Sequence, residues 1–494
     1  MNAKVIGILL LLIVLCGFLS VVVPESFLTG NNIENLLRRT AMYGVLGIGV
    51  AFVIITSGID LSIGSIVCLM GCLLAVFLHV DYAPFDQAEV LAVRAQAKEI
   101  VLQGEVNDFQ AGDRIRYYGG RRARNALLKV TAVQIGVPQE SDGKSINATV
   151  LTVDEPLTND DSSGRVASFY DVLSFDADQG SIVIRGSHPD FDKRDQVTLV
   201  HPESGLKQLV LASAEVSQQQ TRIQLKGDLG TDFSLEWLAI PVQRHQRCSI
   251  VVAILLVLGS AVLLGLLHGL LVTYWKLQPF VVTLCGLLFY RGISRWLVDD
   301  QVQGFGEEYN NSLSILASGK LMISESFGIP YPFFIMLFVA ILASVFLNKT
   351  IWGRYMQALG RNEDAARYSG INTSQVTVLA YIICTGLAAV GGLLFALDAN
   401  SVSPSSFGNF FELYAIAAAV LGGCSLRGGE GGIFGVVIGT AVMQTLYNLI
   451  VLLKISDKLE FAIIGAVILA GVMADELLQR VAARRRAAKS AAGS

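Results

Sequence analysis

The residues that most invite a chemical reading lie in Thr56-Ser-Gly-Ile-Asp-Leu-Ser-Ile-Gly-Ser65, where Asp60 stands between long apolar runs. An ionisable group at membrane depth is costly to bury and is a functional candidate by default. Gly58 lets the backbone turn, and Asp60 or Ser62 can cap the helix that follows. The motif has the form of an interrupted membrane helix, a kind of break that often lines a solute path. A plain helix cap in a cytoplasmic hairpin is the competing reading. His268 falls near the end of its apolar run, which places it at the membrane interface. Asp398 and Glu412 flank an outer loop and could face a solute entrance.

Other chemistries find little support. There is no G-x-x-x-x-G-K-[ST] phosphate loop, so the chain is not expected to bind and hydrolyse ATP. Nucleophile elbows, H-E-x-x-H and other catalytic constellations are missing too. The expectation is therefore a non-enzyme with no catalytic residue, cofactor or metal of its own. The Gly-rich stretch Gly422–Gly432 lacks the phosphate-loop lysine and joins two apolar segments, so it reads as a flexible cytoplasmic turn. All seven cysteines lie within or at the edge of apolar runs, where they serve as small packing residues. Their spacing suggests neither a metal site nor a disulfide scaffold.

The elements that position these residues follow from composition. Of 494 residues 53% are hydrophobic and only 16% charged, against about 25% charged in ordinary soluble chains. The deficit is confined to residues 1–80 and 248–478, while 81–247 reads as a soluble insert. A bilayer core needs about 20 apolar residues per helix. Candidate spans are Val5–Val23, Met42–Ser57, Leu61–His79, Ile250–Thr273, Phe280–Val298, Pro332–Leu347, Val376–Leu397, Leu413–Gly423, Ile433–Leu453 and Phe461–Met473. The expected fold is an all-α polytopic membrane domain of about ten transmembrane helices carrying an extracytoplasmic, mostly β insert.

Lys and Arg in short loops set the orientation. The basic tail 479–494, with Arg484, Arg485 and Arg486, belongs in the cytoplasm. The loop 348–375, with Arg354, Arg361 and Arg367, and the N-terminal Lys4 fall on the same side, and the insert falls outside. Arg38, Arg39, Lys320, Lys454 and Lys458 run against this pattern. Within the insert, short alternating runs separated by turn residues read as strands. Ile100-Val-Leu-Gln-Gly104 matches Ile182-Val-Ile-Arg-Gly186, Asp108-Phe109 matches Asp190-Phe191, and Asp113 matches Asp195. Two tandem β-modules are expected, about 99–155 and 181–229. A docking appendage is the first reading of the insert and a carbohydrate-binding module the second. His188 and His201 have no metal-ligand pattern around them.

The cytoplasmic loop is informative as well. Asn362 can cap a short helix, Glu363 and Asp364 suit its first turn, and Gly370 can end it. Such a helix could present a docking knob to a cytoplasmic partner, and a solvated connector is the competing reading.

Thr56–Ser65, Gln278-Pro-Phe-Val-Val-Thr-Leu284 with Arg291-Gly292, the loop Gly353–Asn372 and Ala415–Gly423 together resemble the ribose/xylose/galactoside-type permeases of bacterial ATP-binding-cassette importers. The resemblance covers the chain outside the insert, where that family usually has a short loop. It implies an ATPase subunit in the cytoplasm, an extracytoplasmic solute-binding protein, a second permease subunit and an inner-membrane location. The partners expected are these and the lipid bilayer, with no nucleic acid. It further implies a coupling helix built from Gly360, Asn362, Glu363, Asp364, Ala365 and Gly370, with Asp364 where the family often has Ala. Ser57, Gly58, Asp60, Ser62, Thr283, Arg291 and Asp398 are the candidates for the translocation path. The solute transported would be a ribose-like sugar, moved by alternating access. Alternatives are a permease for a branched-chain amino acid, a nucleoside or a signalling sugar, an ion-coupled secondary transporter, or a membrane receptor.

Overall fold

The computed structural model describes residues 3–456 except for short stretches, chiefly 120–126, 156–163, 186–194 and 202–204, and beyond 456 it describes 459, 462–467, 469 and 473. Of the expected span Phe461–Met473, residues 462–467, 469 and 473 are described and are helical, while the basic tail lies wholly outside the described residues. The chain forms two compact units: Met1–His79 with Cys248–Ser494, and Val80–Arg247.

The first unit is helical: α1 (Ala3–Val22), α2 (Pro24–Phe27), α3 (Gly30–Ile55), α4 (Ile63–Phe77), α5 (Ile250–Thr273), α6 (Pro279–Leu297), α7 (Ile315–Ser318), α8 (Tyr331–Lys349), α9 (Ile351–Arg361), α10 (Glu363–Tyr368), α11 (Thr373–Ala399), α12 (Phe411–Leu421) and α13 (Ile433–Leu452). Among the described residues seven helices, α1, α3, α5, α6, α8, α11 and α13, are long and apolar enough to cross a membrane. Two more, α4 and α12, are apolar but shorter. A helix thus lies in each of the first nine expected spans, and helical residues 462–467 fall in the tenth, but among the described residues ten full crossings are not reached. The largest boundary difference is α3, which begins at Gly30 rather than near Met42. Its first three turns carry Asn, Glu and Arg, which hide it from an apolar window.

Local sequence explains most helix starts. The side chains of Thr29, Ser249, Thr350, Asn362 and Asn372 each accept a hydrogen bond from a backbone N–H three residues on, capping α3, α5, α9, α10 and α11. Pro279 opens α6 at a position where its missing N–H costs nothing.

Helix α5 shows how the unit packs. It buries Ala253, Val257, Ala261, Gly265 and Gly269 and turns Leu255 (63% exposed) and Leu263 (65%) outward. Small residues inward and large apolar residues outward is the pattern of a helix facing lipid. A Cβ on Gly265 or Gly269 would collide with the backbone of α11 at Ile382 or Val378. This small-x-x-x-small pair therefore sets how closely α5 approaches α11. At the core, α3 is buried along most of its length by α8, α11, α12 and α13.

Among the described residues the second unit holds twelve antiparallel strands: β1 (Val80–Pro84), β2 (Gln87–Arg94), β3 (Glu99–Gln103), β4 (Arg114–Gly119), β5 (Leu127–Ser141), β6 (Lys144–Val153), β7 (Gly164–Asp176), β8 (Ser181–Arg185), β9 (Gln196–His201), β10 (Gly205–Val216), β11 (Gln220–Lys226) and β12 (Leu238–Gln246). Their pairings close two rings. One runs β7-β2-β3-β6-β5-β4 and back to β7. The other runs β7-β8-β11-β10-β9-β12 and back to β7. The unit is thus a pair of six-stranded barrels sharing β7. Closure leaves few open strand edges.

Each barrel has its own core, one around Ile100 and Leu102, the other around Ile182 and Ile184. These are the repeated positions of the sequence, one on β3 and one on β8. The repeated acidic pair is equivalent in backbone as well: Asp113 O accepts from Val130 N, and Asp195 O accepts from Leu211 N. Asp108, Asp190, Phe191 and His188 lie outside the described residues. His201 packs against the Trp237 ring, 5.3 Å between centroids.

Candidate functional site: a helix break, its cytoplasmic anchor and a polar cavity

Helix α3 ends where the Thr56 hydroxyl bonds back to Phe52 O and Val53 O, and Ser57 then takes a left-handed φ of 64°. Gly58 N donates to Val53 O at 2.9 Å. A Cβ on Gly58 would stand 2.8 Å from Val53 Cγ1 and 3.1 Å from Tyr381 Oη, so any side chain there would have to push Val53 aside. Asp60 is fully buried, and its Oδ1 accepts from Ser62 N at 2.9 Å and Ser62 Oγ at 2.6 Å. Ser62 is the N-cap of α4 and makes no capping bond of its own, so Asp60 organises that helix start from two residues upstream.

His268 sits beside this turn. Its Nδ1 is 4.0 Å from Asp60 Oδ2 and its Nε2 is 2.7 Å from Tyr290 Oη. It is 1% exposed, not interfacial as its position in the apolar run suggests. The reason is the Gly265–Gly269 contact, which carries that face of α5 into the helix core. Thr283, also fully buried, donates to Ile59 O at 3.2 Å and ties α6 to the break.

A second short helix meets the first. Helix α12 follows the loop 403–410, whose carbonyls at Pro404 and Phe407 accept from Arg291 at 3.2 and 2.6 Å. Gly64, in the first turn of α4, lies against Gly408 O and Glu412 Oε2. The 15 residues of α4 and 11 of α12 are fewer than the roughly 20 needed to cross a bilayer core. They are half-helices whose starts abut inside the unit, an arrangement found at transport sites.

The loop 348–375 forms α9 and α10. Gly360 is wedged against Ile55 O and Gly429 N, so no side chain fits there. Ser57 Oγ stands 3.1 Å from both Gly360 O and Arg427 O and shares its one proton between these two acceptors. The end of α3, the end of α9 and the 422–432 turn are thereby joined. Asn362 Oδ1 accepts from Ala365 N at 2.9 Å and starts α10, while Gly370 ends it with φ 84°. Glu363, Asp364 and Ala365 are exposed, Glu363 pairs with Arg367 at 2.7 Å, and Tyr368 is 91% exposed.

At the opposite end of α3, α11 and α13 lies a cavity of about 320 Å³ that sequence reasoning did not single out. Asn32 and Asn448 exchange two side-chain hydrogen bonds, at 3.3 and 2.7 Å, across it. Arg38 pairs with Asp398 at 3.5 Å, and the Arg39 guanidinium stands over the Tyr447 ring, 5.0 Å from its centroid. Gln444 completes the wall and is 3% exposed. Asp398 is the one predicted path residue that lines this cavity. A sequence signal existed: Gln444 and Asn448 are polar at helical spacing within an otherwise apolar span. These contacts also explain several cations that ran against the charge pattern. Arg38 and Arg39 are engaged here, and Lys320 pairs with the buried Glu34 at 2.9 Å.

The family described as the permease component of the branched-chain amino acid transport system matches residues 216–472, just over half of the chain. The chain belongs to this permease family. The ribose import permease protein RbsC of Escherichia coli (strain K12) is 36% identical to the permease over 230 residues, 47% of this chain and 70% of that one. The D-allose transport system permease protein AlsC of the same strain is 32% identical over 218 residues, 44% and 64% of the two chains. The xylose transport system permease protein XylH of Haemophilus influenzae is 25% identical over 479 residues, 96% of both. No solved structure matches. Family membership and the apolar helices make the permease a multi-pass inner-membrane protein with a large β-sheet insert.

Proposed function

We propose that this permease is the membrane subunit of an ATP-binding-cassette importer and carries a monosaccharide inward. The observation that carries this reading is α10. It is short, exposed and tipped by Tyr368, and it is anchored through Asn362 and Gly360 to the helix break at Ser57. Such a knob is suited to seat in a groove of a cytoplasmic ATPase, with Gly360, Asn362, Glu363, Asp364, Ala365 and Gly370 forming the coupling segment. The relatives named for ribose, allose and xylose transport support a sugar as solute.

In this reading the ATPase subunit hydrolyses ATP, and this chain needs no cofactor. A second permease subunit completes the pathway, and a separate binding protein delivers the sugar from outside. Residues 461–473 supply the tenth crossing, both termini are cytoplasmic, and the insert 81–247 is extracytoplasmic. ATP binding moves α10, and the joined Ser57–Gly360 contact passes that movement to α3 and α4 as the subunits alternate between outward- and inward-open states. Asp60, Ser62, Thr283 and Arg291 hold the two half-helix starts together at the path, and Asp398 meets the solute at the outer end. The family description would also suit an amino-acid solute.

Affinity purification of the tagged permease in mild detergent, followed by mass spectrometry, tests the assembly. Co-purification of an ATP-binding-cassette ATPase is expected. Recovery of the permease alone, with ion-driven uptake in vesicles, would overturn the reading.

A further inference from the structure

We propose that the cavity between α3, α11 and α13 is where the permease itself binds its solute, and that the solute is a small neutral polyol of monosaccharide size. This rests on the reading of the chain as a sugar permease and adds a site to it.

The wall chemistry selects the class. Asn32, Asn448 and Gln444 each carry an amide that both donates and accepts. A hydroxyl also does both, so amides recognise hydroxyls without needing charge. Two of the ionic wall residues, Arg38 and Asp398, already pair with each other. The Arg39 charge is turned onto Tyr447. A free anion or cation would have to break one of these arrangements, whereas a polyol can bridge Arg38 donors and Asp398 acceptors as they stand. A volume of about 320 Å³ is at the small end of ligand pockets, which run roughly 300–1,000 Å³. That is room for one sugar ring.

Placement agrees with chemistry. Polar side chains within membrane helices face a bundle interior or a water-filled cavity. Thr440 and Thr445 of α13 return their hydroxyls to their own helix, at 2.9 and 2.8 Å. Asn448 instead bonds across to α3, and Gln444 lines the cavity with it. The cavity lies at the ends of α3, α11 and α13 farthest from the coupling segment. Solute arriving from outside would meet it before reaching the half-helix starts. The Asn32–Asn448 amide pair spans the site and can exchange its mutual bonds for bonds to a hydroxylated ring.

The test uses the complete importer in proteoliposomes. Wild-type uptake of radiolabelled D-ribose, D-xylose and D-allose is measured first; no uptake of any of them means that the sugar reading itself has failed. With a transported sugar in hand, Asn448→Cys is combined with Cys285→Ser, which removes an exposed native thiol, and labelled from outside with a charged maleimide. The expected result is labelling that slows at least several-fold when the sugar is added, and does not slow with an equal concentration of the non-transported sugars. Uptake by Gln444→Leu should fall about tenfold or change its order of preference among the three sugars. Labelling indifferent to the transported sugar, together with Gln444→Leu uptake equal to wild type, would overturn the proposal while leaving the permease reading intact.

Discussion

The Ser57 hydroxyl donates to the Gly360 carbonyl at 3.1 Å, joining the helix break to the last turn of the cytoplasmic helix α9. The same hydroxyl reaches Arg427 O at 3.1 Å. One small side chain therefore holds together the three segments through which a movement at α10 would enter the helix bundle. Replacing it tests that route. Ser57→Ala removes both bonds without changing bulk, and the sugar carried per ATP hydrolysed is expected to fall severalfold. An unchanged ratio in proteoliposomes would mean that the route lies elsewhere.

The two glycines of the coupling segment should behave differently. Gly360 faces Ile55 O and Gly429 N, and even alanine has no room. Gly360→Ala is expected to lose most folded protein, read as monodisperse yield in detergent. Gly370 is in a left-handed turn with open space around it. Gly370→Ala should cost only about 1 kcal/mol of local strain and leave the yield near wild type.

Tyr368 is 91% exposed on a helix whose only internal ion pair, Glu363–Arg367, is solvent-facing. Large exposed aromatics are common anchors of protein interfaces. Tyr368→Ala should therefore leave the thermal midpoint unchanged and weaken ATPase binding about tenfold or more, measured by titrating the purified ATPase onto the permease.

What the sequence made legible, and what it hid, divides along physical lines. Caps and glycines act locally, so Asn362 and Gly370 bounded α10 correctly from their neighbours alone. The internal repeat was legible because both copies must fill a barrel core, which keeps Ile100 and Leu102 in step with Ile182 and Ile184. Closure of the two rings through β7 was not, since strand pairing is decided by residues far apart. His268 was misplaced because an apolar run records depth along a helix, not which face is buried. The cavity went unnoticed for a similar reason. Asn32, Asp398 and Asn448 come together only when three helix ends meet.

Asp60 serves as a structural keystone in addition to any part it has in the path. Asp60→Ala leaves the buried Ser62 N–H and hydroxyl without their acceptor and should cost about 3 kcal/mol. Asp60→Asn keeps an acceptor oxygen and should cost clearly less. Thermal midpoints of the two variants in one detergent check the order, and a reversed order would show that charge rather than hydrogen bonding holds the turn.

The insert should be dispensable for folding of the helical unit. Cys248 N donates to Phe77 O at 3.1 Å, so the chain leaves and re-enters this unit at adjacent points. Replacing residues 80–247 by a short Gly-Ser turn is expected to preserve detergent-stable permease that still binds the ATPase. Aggregation of the shortened chain would contradict it.

ATP-dependent uptake of sugar is the most direct measure of the central claim. The permease, its co-purifying ATPase and binding protein would be reconstituted in proteoliposomes, with ionophores present to abolish proton and sodium gradients. Accumulation of ribose, xylose or allose that requires ATP and survives the ionophores is the expected result. Accumulation by the permease alone, driven by an ion gradient and indifferent to ATP, would contradict it.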